Sequence, residues 1–203
     1  RPGTGVRWTE AGMTTRTRCL VDWCRRARRS AMAALLCEVL WLAAPVHAQV
    51  PPTENEVKAA YLYNFGRFVE WPADGAAASG PLRMCVIGMD PFGPVLDAAV
   101  REGLVGGRTV EPERVTAIED TPRCHVLFVS DSERERLDAI LAALKGTHVL
   151  TVSDIPQFAR RGGMIQFTRQ GGRLRFEVNL PATQEARLMI SSDLLRVASA
   201  VRR

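Results

Sequence analysis

The sequence has no apolar run long enough to cross a membrane, and it has no net charge beyond its first 48 residues. The longest apolar segment, AMAALLCEVLWLAA at 31–44, is too short for a hydrocarbon core of about 30 Å. Residues 1–48 hold eight arginines and three acidic residues, which accounts for the whole net charge of +5. The rest of the chain therefore has 19 basic (27 − 8) and 19 acidic (22 − 3) side chains. Such a neutral domain lacks the basic surface that nucleic-acid binding requires.

Motifs that would carry catalysis or hold a cofactor are also missing. GMDPFG at 88–93 lacks the G-x-G-x-x-G spacing, and Pro91 removes a backbone donor that a phosphate would need. His125 and His148 have no Cys, Asp or Glu at a spacing typical of metal ligands. No carboxylate pair or nucleophile–base pair stands out by its spacing. The sequence therefore predicts a protein without enzymatic activity, bound metal or cofactor, and an exported enzyme is the least favoured alternative.

The first 48 residues have the organisation of a secretory signal peptide with an upstream leader. CRRARRS at 24–30 is positively charged, 31–44 is apolar, and VHA at 46–48 supplies small residues before a cleavage point. We therefore predict export, with cleavage near Ala48–Gln49. Residues 49–203 then form one domain of ordinary size.

Cysteine is scarce in this predicted exported domain. Three of the five cysteines precede residue 49, which leaves Cys85 and Cys124. An even number of cysteines in an oxidising compartment favours a disulfide. Closing a loop of about 40 residues would stabilise the fold by about 4 kcal/mol in the chain-entropy model. The alternative is a pair of buried free thiols.

The hydrophobic periodicity predicts a single mixed α/β sandwich with a partly parallel sheet. A capping box, Thr53-x-x-Glu56, opens an N-terminal helix that ends before Pro72. Apolar strands at 82–88, 124–130 and 148–153 alternate with helical segments, which is typical of parallel strands covered on both faces. The expected buried stripe of the first helix consists of Val57, Tyr61, Phe65 and Phe68.

The C-terminal part predicts a hairpin followed by a helix. Two strands at 164–180 meet at Gly171–Gly172. Ser191 or Ser192 would then cap a helix. The apolar stripe of that helix consists of Leu194, Val197, Ala198 and Val201.

A short repeat raises the question of a hydrolase, because HVLFVSD at 125–131 returns as HVLTVSD at 148–154. Each copy has the residue types of a Ser-His-Asp triad. Five strand positions of about 3.3 Å separate the His from the Ser-Asp by more than about 15 Å. In parallel strands both His would lie at one sheet edge and both Ser-Asp pairs at the other. We therefore expect a strand followed by a helix cap, used twice, with capping boxes Ser130-x-x-Glu133 and Ser132-x-x-Glu135, and with Asp154 as the next cap.

The same edge supplies an alternative function, because ligands of open α/β sheets bind beyond the carboxyl ends of the strands. A small-ligand-binding domain that reports occupancy to a partner would use this edge. The candidate ligand-binding residues are Gly88, Asp90, Ser130, Asp131, Ser153 and Asp154.

The first helix and the second hairpin strand supply candidates for a partner surface. AAYLYNFGRFVEWP at 59–72 concentrates aromatic residues in a domain otherwise poor in them. A broad buried helical face would explain this, and so would a partner surface, where Tyr and Trp are enriched. The candidates are Tyr63, Glu70 and Trp71, with Arg175, Glu177 and Asn179 on the polar face of the hairpin, a face that could also be simply solvated.

Six segments of the chain, which cover about residues 53–201, carry a resemblance to a known family. The segments are VKAAYLYNFGRFVEWP, LRMCVIGMDPFG, CHVLFVSDSE, VLTVSDIPQFARRGGMIQF, RLRFEVNLPA and ISSDLL. Together, and in this order, they resemble the YfiR-like family of periplasmic regulatory proteins.

This resemblance implies a periplasmic α/β domain that forms homodimers and restrains a membrane-anchored signalling protein. The implied partner is a diguanylate cyclase, which makes cyclic di-GMP, or a sensor kinase. It also implies a Cys85–Cys124 bridge, in agreement with the cysteine count. Gly66, Arg187 and Asp193 depart from the residues usual in the family.

Overall fold

The computed structural model describes residues 51–73 and 80–203, so the predicted leader lies outside the described residues. The helices are α1 (Glu54–Phe68), α2 (Pro94–Val100), α3 (Leu137–Ala143), α4 (Leu180–Glu185) and α5 (Ser192–Val197). The strands are β1 (Val69–Glu70), β2 (Leu82–Ile87), β3 (Leu104–Val105), β4 (Arg108–Val115), β5 (Val126–Val129), β6 (Leu150–Ser153), β7 (Ile165–Gln170), β8 (Arg173–Asn179), β9 (Met189–Ile190) and β10 (Ala200–Arg202). Short 3₁₀ helices cover Ile118–Arg123, Asp131–Glu133 and Phe158–Arg160.

The main sheet has the strand order β10-β8-β7-β6-β5-β2-β4-β3. Its central strands β4, β2, β5, β6 and β7 are parallel, and in chain order they read 2-1-3-4-5, a doubly wound arrangement. The hairpin strand β8 is antiparallel to β7, and β10 runs parallel to β8. β1 and β9 form a separate two-stranded ribbon. The predicted mixed α/β fold with a partly parallel sheet is confirmed.

A hydrophobic core covers each face of the sheet. The larger core packs α1, α2, α4 and α5 onto one face and contains the buried rings of Phe65, Phe128 and Phe176. The other core lies under α3 and contains Cys85 and Cys124, which form a disulfide with a Cα–Cα distance of 5.9 Å. Strands β5 and β6 are buried along their whole length because both faces are covered.

Helix α1 crosses the sheet from its carboxyl edge to its amino edge. The predicted capping box is present, since Thr53 Oγ1 accepts from Glu56 N and Glu56 reaches back to Thr53 N. The buried face differs from the predicted stripe, because Ala59, Leu62 and Phe65 are buried while Phe68 is 36% exposed. Phe68 ends the helix, and the chain turns there into β1.

The C-terminal helix is shorter than the predicted stripe. Ser191 caps it as predicted, but Ala198 has an extended backbone and stops the helix. Ser199 then donates its N–H to Phe176 O at 2.8 Å. Val201 consequently pairs with Val178 in β10 instead of continuing the helix.

Candidate functional site

The two copies of the repeat lie on neighbouring parallel strands, and they are offset by one residue. Val126 is opposite Leu150, although its counterpart in the repeat is Val149. Because side chains alternate along a strand, this offset turns corresponding residues to opposite faces of the sheet. Val126 accordingly packs in the larger core and Val149 in the core beneath α3. Both histidines lie at the amino edge and both Ser-Asp pairs at the carboxyl edge, as predicted, so no triad forms.

The first copy ends in a 3₁₀ helix instead of the predicted capping boxes. Within the described part of the chain, Ser130 makes no side-chain capping bond, and α3 begins only after Arg136. Ser132 Oγ instead accepts from Met89 N at 2.8 Å. Asp131 is exposed and pairs with Arg134. The capping prediction for Ser130 and Ser132 is therefore wrong, because the chain uses Ser132 to bind the neighbouring loop.

This neighbouring loop closes the crevice that a doubly wound sheet offers to ligands. The strand order reverses between β2 and β5, where Gly88 faces Ser132. Gly88 has a φ of 90°, and a Cβ there would lie 2.5 Å from Ser132 Oγ and 2.7 Å from Glu133 Cγ. The two loops are thus in direct contact, and only glycine fits at residue 88.

Asp90 anchors the same loop through an ion-pair network. Its Oδ1 accepts from Phe92 N, and its Oδ2 accepts from Arg114 Nε, each at 2.8 Å. Arg114 also binds Asp97 in α2, with Nη1–Oδ1 at 2.6 Å. The hydrogen bond from Arg114 lowers the pKa of Asp97, and the hydrogen bond to Asp97 raises the pKa of Arg114. Both shifts favour the charged forms, so the network holds this loop against α2.

The second copy ends in contacts that the first copy lacks. Ser153 is fully buried, and its Oγ donates to Val129 O at 2.7 Å and accepts from Ile155 N at 3.0 Å. Asp154 accepts from Lys58 Nζ at 2.6 Å. The predicted capping role of Asp154 is wrong, because the next 3₁₀ helix begins at Phe158 after Gln157.

Asp154 lines a cleft of about 240 Å³ at the carboxyl ends of β6 and β7. We call it the Lys58 cleft. Its lining residues are Glu54, Lys58, Asp154, Phe167, Thr168, Arg169 and Leu174. Lys58 and Thr168 were not among the predicted site residues. The one signal in the sequence was the i, i+4 spacing of Glu54 and Lys58, which is typical of an ion pair on a helix. A larger groove of about 410 Å³ lies between α3 and α4, and its lining includes none of the predicted residues.

At the opposite edge, Trp71 joins the starts of the two repeat strands. Its Nε1 donates to His148 O at 2.9 Å, and its ring stands edge-on to His125 at 6.0 Å. His125 is buried, and its Nδ1 accepts from Arg83 N at 3.0 Å. His148 Nδ1 donates to Ala186 O at 2.8 Å. The histidines thus lie at strand ends, as predicted, and both are hydrogen-bonded there, while Trp71 is engaged within the fold.

Glu70 lies on an exposed surface that also carries apolar side chains. Val69 is buried, so its neighbours Phe68 and Glu70 point outward, and Glu70 pairs with Met189 across the ribbon. Met189 is 64% exposed. We call Phe68, Glu70 and Met189 the ribbon surface. Tyr63 lies elsewhere, with its ring against Gly103 and its hydroxyl 3.3 Å from Leu104 O.

The three candidate residues on the polar face of β8 differ in their exposure and in their hydrogen bonds. Arg175 is exposed and Glu177 is half-buried beside the edge strand β10. Asn179 caps α4, and its Nδ2 donates to Ala159 O at 2.9 Å and to Gly163 O at 3.0 Å. Arg175 and Glu177 thus remain available to a partner, whereas the Asn179 amide is engaged within the fold.

Within residues 51–73 and 80–203, no group of three or more His, Cys, Asp or Glu side chains could hold a metal ion. No helix in these ranges is long and apolar enough to span a bilayer.

Known structures share this fold at low sequence identity. A conserved domain protein of Vibrio cholerae matches with a TM-score of 0.51 at 9% identity, covering 74% of this chain and 60% of that chain. An ABC domain from Streptococcus pneumonia, solved in complex with L-Trp, matches with a TM-score of 0.50 at 10% identity, covering 70% and 60%. The chain thus spans 60% of the length of each, and at these identities the likeness shows the fold alone.

The family model shows more than the fold. The YfiR/HmsC-like model matches residues 55–199, which include both repeat copies, the disulfide and the ribbon. The chain therefore belongs to the YfiR/HmsC-like family.

Proposed function

We propose that this protein is a periplasmic regulator that binds and restrains a membrane-anchored diguanylate cyclase or sensor kinase. The observation that carries the proposal is the family match over residues 55–199, since the YfiR/HmsC-like family is a family of periplasmic regulatory proteins. The neutral charge of residues 49–203 is consistent with a protein partner. The protein would act as a homodimer, as the resemblance implies.

The ribbon surface is the proposed contact with the partner. Exposed apolar side chains beside a polar one are typical of interaction surfaces, where a few large side chains contribute most of the binding energy. Phe68 and Met189 supply the apolar part, and Glu70 is opposite Met189 in the ribbon. Arg175 and Glu177 on β8 form a second, wholly polar candidate contact.

The test is capture of the partner from membranes. Tagged protein is incubated with detergent-solubilised membranes of its own organism, and captured proteins are identified by mass spectrometry. We expect a diguanylate cyclase or sensor kinase, and we expect cyclic di-GMP or kinase output to rise when the regulator is deleted. If the folded protein captures neither class and its deletion leaves both outputs unchanged, the proposal fails.

A matched pair of variants tests the contact surface. Met189→Gln changes the ribbon surface, whereas Met89→Gln makes the same change at a side chain that is 76% exposed on the loop after β2. We expect Met189→Gln to weaken capture about tenfold, as loss of an interface anchor does. Equal capture by the two variants would place the contact elsewhere.

The ligand-binding alternative is supported by one observation, the Lys58 cleft. Of the six candidate ligand-binding residues, Asp154 lines this cleft. The polar side chains of Asp90, Asp131 and Ser153 are engaged with groups of the fold itself. A ligand would therefore bind beyond β6 and β7 and not at the reversal between β2 and β5.

A further inference from the structure

We propose that the Lys58 cleft binds a small neutral molecule with adjacent hydroxyl groups, such as a sugar or polyol. The cleft lies where the N-terminal part of α1 meets the carboxyl ends of β6 and β7. This inference rests on the ligand-binding alternative and makes it more specific. A binding measurement on the purified protein, without the partner, tests it.

A buried lysine lines the cleft. Lys58 is 6% exposed, and its Nζ lies 2.9 Å from Glu54 Oε1 and 2.6 Å from Asp154 Oδ2. An ammonium group has three N–H donors, so one remains without an acceptor among the described residues. Burial of a lysine is costly unless all its donors are satisfied, which favours an oxygen of a ligand at this position.

Two oxygen atoms in the same cleft also lack partners. Asp154 Oδ1 and Thr168 Oγ1 are buried, and neither has a hydrogen-bond partner among the described residues. A carboxylate oxygen only accepts, whereas a threonine hydroxyl both donates and accepts. Because a buried polar atom without a partner destabilises the fold, the cleft favours a molecule that satisfies these atoms.

The charges of the cleft select a neutral ligand. Lys58 and Arg169 balance Glu54 and Asp154, and Arg169 also pairs with Glu54. A ligand with net charge would leave one charge of this network uncompensated. In the proposed complex one hydroxyl accepts from Lys58, and an adjacent hydroxyl bonds with Asp154 Oδ1 or Thr168 Oγ1 once these buried atoms turn towards the cleft. The ion pairs of the network are kept.

The size of the cleft limits the ligand to a small molecule. Its volume of about 240 Å³ is below the range of about 300–1,000 Å³ that drug-sized ligands need. Phe167 and Leu174 supply apolar wall to the cleft. Ring or chain carbons of a polyol could pack against this wall.

The test measures binding of chosen probes to the purified protein. Glucose, ribose and glycerol serve as hydroxylated probes, with glycine, acetate and ethanolamine as zwitterionic, anionic and cationic probes. We expect at least one hydroxylated probe to raise Tm saturably and to give heat in titration calorimetry, because a ligand specific for the folded state stabilises it by mass action. Absence of a shift with every hydroxylated probe, or a larger shift with a charged or zwitterionic probe, would overturn the proposal.

Two threonine variants locate the binding. Thr168→Val removes the open hydroxyl at nearly constant volume, and Thr109→Val makes the same change at an exposed residue of β4. We expect Thr168→Val to weaken binding of the active probe about tenfold or more, while Thr109→Val leaves the Kd unchanged. An unchanged Kd in Thr168→Val would overturn the assignment to this cleft. Binding by the regulator and capture of its partner are separate readouts, so either proposal can fail alone.

Discussion

The two copies of the repeat have nearly the same sequence and very different surroundings. His125 is buried and Asp131 is exposed in the first copy, whereas in the second copy His148 is half-buried and Asp154 is bound to Lys58. The one-residue offset between β5 and β6 explains the difference, because it turns corresponding side chains to opposite faces of the sheet. Register, and not local sequence, therefore decides what each residue of the repeat does.

The largest expected loss of stability comes from removing the disulfide, which is next to the first copy only. Cys124 directly precedes HVLFVSD and bonds Cys85 in the adjacent strand β2. Cys85→Ser/Cys124→Ser should lower the free energy of unfolding by about 4 kcal/mol, because the unfolded chain loses a closed loop. Urea unfolding followed by circular dichroism measures this loss.

A matched control separates the bridge from the substitutions. Wild-type protein unfolded with and without a reductant should show the same loss without any change of sequence. If the reduced protein keeps its full stability, the bridge does not stabilise the first copy.

The next largest loss of stability is expected at the one position where the two copies differ, which is Phe128 in the first copy and Thr151 in the second. Phe128 is buried against Phe92, with ring centroids 4.8 Å apart, whereas Thr151 lies on the other face and accepts from Met164 N at 3.1 Å. Phe128→Ala should cost about 3 kcal/mol or more through the cavity it leaves. Thr151→Ala should cost about 1 kcal/mol, the value of one hydrogen bond. Similar losses in urea unfolding would argue against the offset.

Much of the fold could be predicted from the sequence because its signals are local. The Thr53–Glu56 capping box, the apolar strands and the Gly171–Gly172 turn each depend on neighbours in the chain. The C-terminal helix was predicted too long because Val201 pairs with the distant Val178, and an apolar residue at helical spacing fits a strand equally well.

The site was less predictable because its contacts join distant parts of the chain. Lys58 and Asp154 are 96 residues apart, and Ser132 binds the loop after β2 across 43 residues. A Ser-x-x-Glu pattern favours a cap only when the hydroxyl has no better donor nearby, and here Met89 N supplies one. Trp71 and Asn179 looked like surface residues because the pattern gave no sign of their hydrogen-bond partners.

The aspartates of the two copies give the third contrast. Asp154→Asn leaves the buried Lys58 with Glu54 as its remaining carboxylate, whereas Asp131→Asn removes an exposed pair with Arg134. We expect Asp154→Asn to lower the free energy of unfolding by about 2 kcal/mol. This is less than the roughly 3–5 kcal/mol lost when a buried charge has no partner left, because Glu54 still pairs with Lys58. Asp131→Asn should stay within about 0.5 kcal/mol. Thermal unfolding of both variants checks this, and a larger loss for Asp131→Asn would contradict the contrast.

The serines give the smallest contrast and the most direct test of the offset. Ser153 Oγ joins Val129 O to Ile155 N, so Ser153→Ala removes a donor and an acceptor from a fully buried position. We expect a loss of about 1–2 kcal/mol. Ser130→Ala should lower the free energy of unfolding less than Ser153→Ala, since Ser130 is also buried but makes no side-chain capping bond among the described residues. Equal losses in parallel urea titrations would mean that the two serines serve the same purpose, and that the repeat is the strand-and-cap unit that its sequence suggests.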